Sequence, residues 1–236
     1  MPERSEGEVE HSRAVRAMFG GIARRYDLLN HLLSANTDKR WRRKVRIRLE
    51  SVLADSGALV LDVACGTGDL AIELQRGSDA RIIGTDFCRP MLDIAKSKEP
   101  GIPFVEGDAL SLSYPDSTFD AVSIAFGLRN LANVEAGLCE MRRVLKPGAR
   151  LVILEFSSPV LPGFRGLFRI YFNKVLPRVG GFVSGERGAY EYLPDSVSKF
   201  PDQKGLSTMM EATGFTEVEF TNLTGGIAAI HTGIRG

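Results

Sequence analysis

Histidine and cysteine are scarce in this chain of 236, at three each, and tryptophan occurs once. Cys65, Cys88 and Cys139 are odd in number, widely spaced and without a C-x-x-C pair. That argues against a disulfide framework and fits reduced thiols in a cytosolic protein. His11, His31 and His231 show no metal-ligand spacing, so no metal site is expected. Net charge is missing too. With 30 Lys and Arg against 29 Asp and Glu, the molecule as a whole gives no case for nucleic acid. No apolar run approaches the ~18 residues of a membrane span, and the acidic N-terminus lacks the form of a signal peptide. Neither a repeat nor a low-complexity segment is present. What remains, 44% hydrophobic and 25% charged, suits one well-filled globular domain with room for an insertion.

The chain is organised around Ala58 to Ile72, A-L-V-L-D-V-A-C-G-T-G-D-L-A-I. An apolar start suits a buried parallel strand, Cys65-Gly66-Thr67-Gly68 makes a tight turn, and Asp69 onward resumes with helical spacing. Glycines let the backbone approach a ligand closely, and the helix N-terminus offers unpaired amides beside it. Gly66, Gly68 and Ala71 satisfy G-x-G-x-x-G/A, and Asp86 follows twenty residues after Gly66, as nucleotide cradles require. The pattern alone does not name the ligand.

Further strands are read at Ala80–Asp86, Ile102–Ala109, Phe119–Phe126 and Arg150–Phe156, alternating with helices. Asp86, at a strand end, suits hydrogen bonding to ribose hydroxyls or capping of the helix near Pro90. Asp108 suits the exocyclic amine of an adenine or a plain turn. A short helix over Asp202–Thr213 is stopped by Gly214, and Phe215–Asn222 then pairs antiparallel with Ile227–Ile234. Five parallel strands ending in an antiparallel hairpin leave no sequence for the second half of a dinucleotide fold.

Outside the sheet, residues 1–12 hold four glutamates and no apolar pattern, and are expected to be a mobile tail. The remainder, 13–236, reads as a single domain. Residues 13–55 form a helical cap, either covering the sheet end or serving as a lid on the cofactor, with Gly20-Gly21 allowing one helix or two. Residues 157–200 form a helical insertion on the substrate side. Lys39 to Arg48 packs seven basic residues around Trp41 without an acid. It reads as a solvated face or as a surface for anionic lipid headgroups. Between Phe156 and Gly185 there is no acid at all, while Arg165, Arg169, Lys174 and Arg178 interleave with aromatic and apolar residues. This segment reads as a core helix pair or an interfacial, cationic face.

Asp62-x-x-Cys65-Gly66-Thr67-Gly68, Asp86, Gly107-Asp108-Ala109 and the terminal hairpin resemble a class I S-adenosylmethionine-dependent methyltransferase. Tyr26-Asp27-Leu28-Leu29-Asn30, Trp41, Phe126-Gly127-Leu128-Arg129-Asn130, Arg143-Val144-Leu145-Lys146-Pro147-Gly148 and Leu154-Glu155-Phe156-Ser157 are similar to the UbiE-type ubiquinone/menaquinone C-methyltransferases, from about Met18 onward. G-F-R-G-L-F-R-I-Y-F resembles the menaquinone branch more closely. Leu29, Asp38 and Ala149 stand where that family commonly has Met, His and Gly, and Ala125 where it often has Ser.

The resemblance implies a Rossmann-like α/β fold and methyl transfer from S-adenosylmethionine to a ring carbon of demethylmenaquinol. The ubiquinone precursor ring or another prenylated phenol is the alternative acceptor. A cofactor-binding scaffold without catalysis is the alternative of another class. It also implies cofactor contacts from Asp62, Ala64, Gly66, Thr67, Gly68, Asp86, Phe87, Met91, Asp108, Ala109 and Ser123. Arg129 would stabilise a phenolate and Asn130 orient it, unless Arg129 merely pairs with a nearby carboxylate. Tyr26, His31 and Tyr192 are lesser candidates for ring contact or proton relay. The expected setting is cytoplasmic, peripheral at the inner face of the cell membrane, without nucleic acid. Oligomeric state is left open, a homodimer included.

Overall fold

A computed structural model describes residues 4–34, 36–160 and 187–236, with residues 29–33 and 187–191 described by their backbone alone. Seven strands form one sheet in the order β3-β2-β1-β4-β5-β7-β6. They are β1 Leu59–Val63, β2 Arg81–Asp86, β3 Phe104–Glu106, β4 Phe119–Ala125, β5 Leu145–Phe156, β6 Phe215–Leu223 and β7 Ala228–Arg235. Strands β1 to β5 pair in parallel, whereas β7 runs antiparallel between β5 and β6. The order reverses between β1 and β4, so a crevice opens beyond their carboxyl ends.

Parallel strands are covered on both faces by their crossover helices, which explains the unbroken apolar runs. On β1 the alternation is direct. Val60 packs with Trp41, Val45 and Leu49 on one face, and Leu61 and Val63 with Leu138 and Met141 on the other. The first cover comes from α2 Thr37–Arg48, α3 Glu50–Leu53, α4 Asp69–Gln75 and α5 Arg89–Lys98. The second comes from α6 Val134–Val144 and, after α7 Arg187–Lys199, from α8 Gln203–Ala212. Asp202 caps α8 by accepting from the Gly205 amide at 2.9 Å, and Gly214 ends it at φ 90°.

Two boundaries stand apart from the sequence reading, and one open choice is resolved. Helix α1 spans Glu6–Leu33, so residues 6–12 are helical where the composition reads as a tail. The cause is a capping box. The Glu8 amide donates to Ser5 Oγ at 3.3 Å, and the Ser5 amide donates to the Glu8 carboxylate at 2.9 Å. The same helix runs unbroken through Gly20-Gly21, with Gly20 set against Pro90 and Cys88 of the α5 start. Strand β5 begins at Leu145 rather than Arg150, because Leu145 pairs with Phe119 across an irregular register. Of the expected insertion, 161–186 lie outside the described residues, and so does the acid-free segment apart from its first four positions.

Candidate active site

The turn after β1 bends the chain sharply back to start α4. Ala64, Gly66 and Gly68 all have positive φ, at 50°, 55° and 82°. A Cβ on Gly66 would meet nothing within 4 Å, whereas one on Gly68 would lie 2.7 Å from Phe104 Cζ. The first glycine leaves open space and the second permits close packing. Asp86, at the end of β2, fixes the turn. Its two carboxylate oxygens accept from the Gly66 amide and the Cys88 amide, each at 2.8 Å. Burial pushes its carboxyl up, against the pull of those two N–H groups.

Beside this turn lies an open cleft. One end is built from Ala64, Gly66, Asp86, Phe87, Met91, Asp108 and Ala109. The other is built from Ala125, Phe126, Gly127, Asn130, Leu131 and Ala132. Ser12, Phe19 and Tyr26, spaced by seven along α1, add a wall. Helix α1 of the cap thus forms part of the cleft wall. It is tied down at Asp108, whose Oδ2 accepts from Arg4 at 2.6 Å while Oδ1 accepts from the Leu110 amide at 2.9 Å.

Four predicted cofactor residues stand behind the cleft instead of lining it. Ser123 Oγ donates to Asp62 Oδ1 at 2.8 Å, both side chains being buried, and Asp62 Oδ2 has no partner among the described residues. Burial pushes the Asp62 carboxyl up to about 7. Thr67 donates to Asp27 of α1 at 2.5 Å, and Gly68 precedes α4 as its N-cap. Lys98 bridges Asp27 to Asp69, and Arg42 reaches both Asp69 and Asp38. These bonds lock α1 to the back of the turn.

The end at Phe126 to Ala132 departs most from the sequence reading. Arg129 sits on a 3-10 turn, Leu128–Asn130, and does not line the cleft. Its Nη1 donates to Glu155 Oε1 and to the Phe126 carbonyl, both at 2.7 Å. The two side chains are 6% and 1% exposed. The structural alternative for Arg129, pairing with a carboxylate, is thus present, and Glu155 is a partner that sequence reasoning missed. Asn130 does line the cleft, donating to the Phe126 carbonyl at 3.1 Å while its Oδ1 is buried without a partner among the described residues. Arg129 Nε is likewise buried and unpartnered among them. Phe126 itself holds φ 56°, an unusual conformation for a bulky residue and a mark of local strain. Half-buried Tyr192 lies near the Arg129–Glu155 pair, its phenol pushed up by burial. The His31 side chain lies outside the described residues.

A parallel sheet with a terminal antiparallel hairpin, a glycine turn after β1 and an acid ending β2 define a class I methyltransferase fold. A SAM-dependent methyltransferase from Thermotoga maritima has the same architecture at TM-score 0.66 and 17% identity, over 94% of this chain and 100% of that one. The chain matches the ubiE/COQ5 methyltransferase family over residues 7–235, and it belongs to that family. Among curated relatives, the demethylmenaquinone methyltransferase of Deinococcus radiodurans is 51% identical, covering 95% of this chain and 93% of its own. That of Thermus thermophilus is 50% identical, covering 92% and 100%.

Proposed function

We propose that this enzyme transfers a methyl group from S-adenosylmethionine to a ring carbon of demethylmenaquinol, giving menaquinol, while bound peripherally at the inner face of the cell membrane. The observation that carries the acceptor is the 51% identity, over nearly the whole of both chains, to a demethylmenaquinone methyltransferase. Among the described residues no helix is long and apolar enough to cross a membrane.

The cleft fits the donor. Gly66 faces open space, and the Asp86 oxygens each keep a lone pair for ribose hydroxyls beyond the amides they already accept. Asp108 and Ala109 would hold the adenine end, with Phe87 and Met91 as apolar walls. Asp62, Thr67, Gly68 and Ser123 support the turn from behind. When bound, the sulfonium supplies an electrophilic methyl group.

A hydroquinone ring becomes carbon-nucleophilic once a hydroxyl loses its proton, and a phenol with pKa about 10 needs help at neutral pH. Arg129 is paired with the buried Glu155 carboxylate, so it acts as a fixed donor and not as a base. Its guanidinium stands behind the cleft wall as a fixed positive charge for a phenolate oxygen, and Asn130 orients the ring from the wall itself. Glu155 holds the guanidinium in place. A quinone has no such proton to lose and no nucleophilic ring carbon. Labelled methyl is therefore expected to pass to reduced demethylmenaquinone and not to its oxidised form. Product from the oxidised form alone would overturn the phenolate mechanism, and no product from either would overturn the acceptor.

A further inference from the structure

The two sides of α2 are built for different surroundings. Inward, Trp41 and Val45 are buried in the core together with Leu49 just past the helix end, and Arg42 is consumed by Asp38 and Asp69. Outward, Lys39, Arg43 and Ile47 form one row at four-residue spacing. Arg40, Lys44 and Arg48 form a second row beside it, and all six residues are exposed. Ile47, 62% exposed, projects from within this basic face.

Several exposed cations elsewhere have acids in reach: Arg16 has Glu106, Arg76 has Glu73, Arg89 has Asp93 and Lys199 has Asp195, while those without one among the described residues, such as Arg13, Arg81, Lys96 and Lys204, are scattered over separate elements. Lys39, Arg40, Arg43 and Lys44 have no acidic partner among the described residues. Arg48 reaches the Thr221 hydroxyl, at 2.8 Å, and the next acid, Glu50, starts the following helix. Like charges four apart destabilise a helix, so this face is assembled against a repulsion that an anionic surface would offset.

We infer that the outward face of α2 docks on the anionic headgroups of a lipid bilayer, with Ile47 entering the interface. The inference rests on the reading above, that the acceptor is a prenylated quinol held in the membrane. Charge alone fits a nucleic-acid backbone equally well, but an exposed isoleucine amid the cations gains apolar contact only in lipid. Placement supports the same choice. Trp41, on the inner side, lies 6.0 Å from Phe126, ring centre to ring centre, and Phe126 lines the acceptor end of the cleft. A membrane under α2 would thus lie one aromatic layer from the site that receives the quinol.

The test is co-sedimentation of the full chain with phosphatidylcholine vesicles, with and without phosphatidylglycerol. Binding is expected only with the anionic lipid and should fall as salt rises. Each of Lys39→Gln, Arg40→Gln, Arg43→Gln and Lys44→Gln should lower partitioning about fivefold, and Ile47→Ser should lower the salt-resistant part. Unchanged melting by circular dichroism shows that the variants fold. Undiminished binding by the variant carrying all four glutamines, or binding of duplex DNA at the same salt without vesicle binding, would overturn the proposal. Methyl transfer to a short-tailed, water-soluble quinol is read separately. Its failure with vesicle binding intact would remove the assigned reaction and leave the docking face; success without vesicle binding would do the reverse.

Discussion

The two ends of the cleft are made of different materials. The donor end is backbone and carboxylate: the positive-φ turn at Gly66 and Gly68, with Asp86 gripping two amides. The acceptor end is apolar at its surface, through Phe126, Leu131 and Ala132, with its charges withdrawn into the Arg129–Glu155 pair. The first offers acceptors to a polar ligand directly. The second places a guanidinium in a dry setting, where a developing negative charge is poorly screened and a fixed donor is worth most.

The sharpest way to break this contrast is to remove one charge of the pair. Glu155→Gln leaves Arg129 buried and uncompensated, and stability in urea should fall by roughly 3–5 kcal/mol. A loss under about 1 kcal/mol would mean that the guanidinium reaches water and that the acceptor end is wet.

The donor end was legible in the sequence because its demands are local. A turn needing positive φ selects glycine, and a strand ending in an acid shows itself within seven residues. Glu155 was not legible for the opposite reason. Leu154-Glu155-Phe156 reads as the end of a buried strand, and its partner Arg129 lies 26 positions earlier. Ser12 was hidden as well. The acidic start looks like a tail, since the Ser5–Glu8 box is masked by a run of glutamates. The family resemblance puts Asp62 and Ser123 at the cofactor, but strand pairing sets Asp62 opposite Ser123 inside the sheet. The parallel strands and the closing hairpin followed from alternation, whereas the start of β5 depended on a register that periodicity cannot see.

Asp62 sharpens the comparison from the donor side. Its carboxyl is raised from 3.8 to about 7 in the fold by burial. Between about pH 4 and pH 7 the folded state therefore holds a proton that the unfolded state has released. Stability from this group falls as pH rises through that window and is level above it. Asp62→Asn should abolish that slope in melting experiments, removing at most about 4 kcal/mol of pH-dependent destabilisation. An unaltered slope would mean that Asp62 is ionised in place.

Asp86→Ala carries the smallest expected change. It should weaken S-adenosylmethionine binding in calorimetry by roughly 1.5–3 kcal/mol, as for a lost hydrogen bond to a charged group. No weakening would reduce Asp86 to a clamp on the Gly66 and Cys88 amides.

The most direct measurement is methyl transfer by the double variant Arg129→Gln/Glu155→Gln. Removing both charges leaves a neutral pair of similar shape, so the melting temperature should recover most of what either single variant loses. Turnover with reduced demethylmenaquinone should stay at least about a hundredfold down, since the donor to the phenolate is gone. Recovery of turnover along with stability would contradict the account, leaving Arg129 and Glu155 as scaffolding alone.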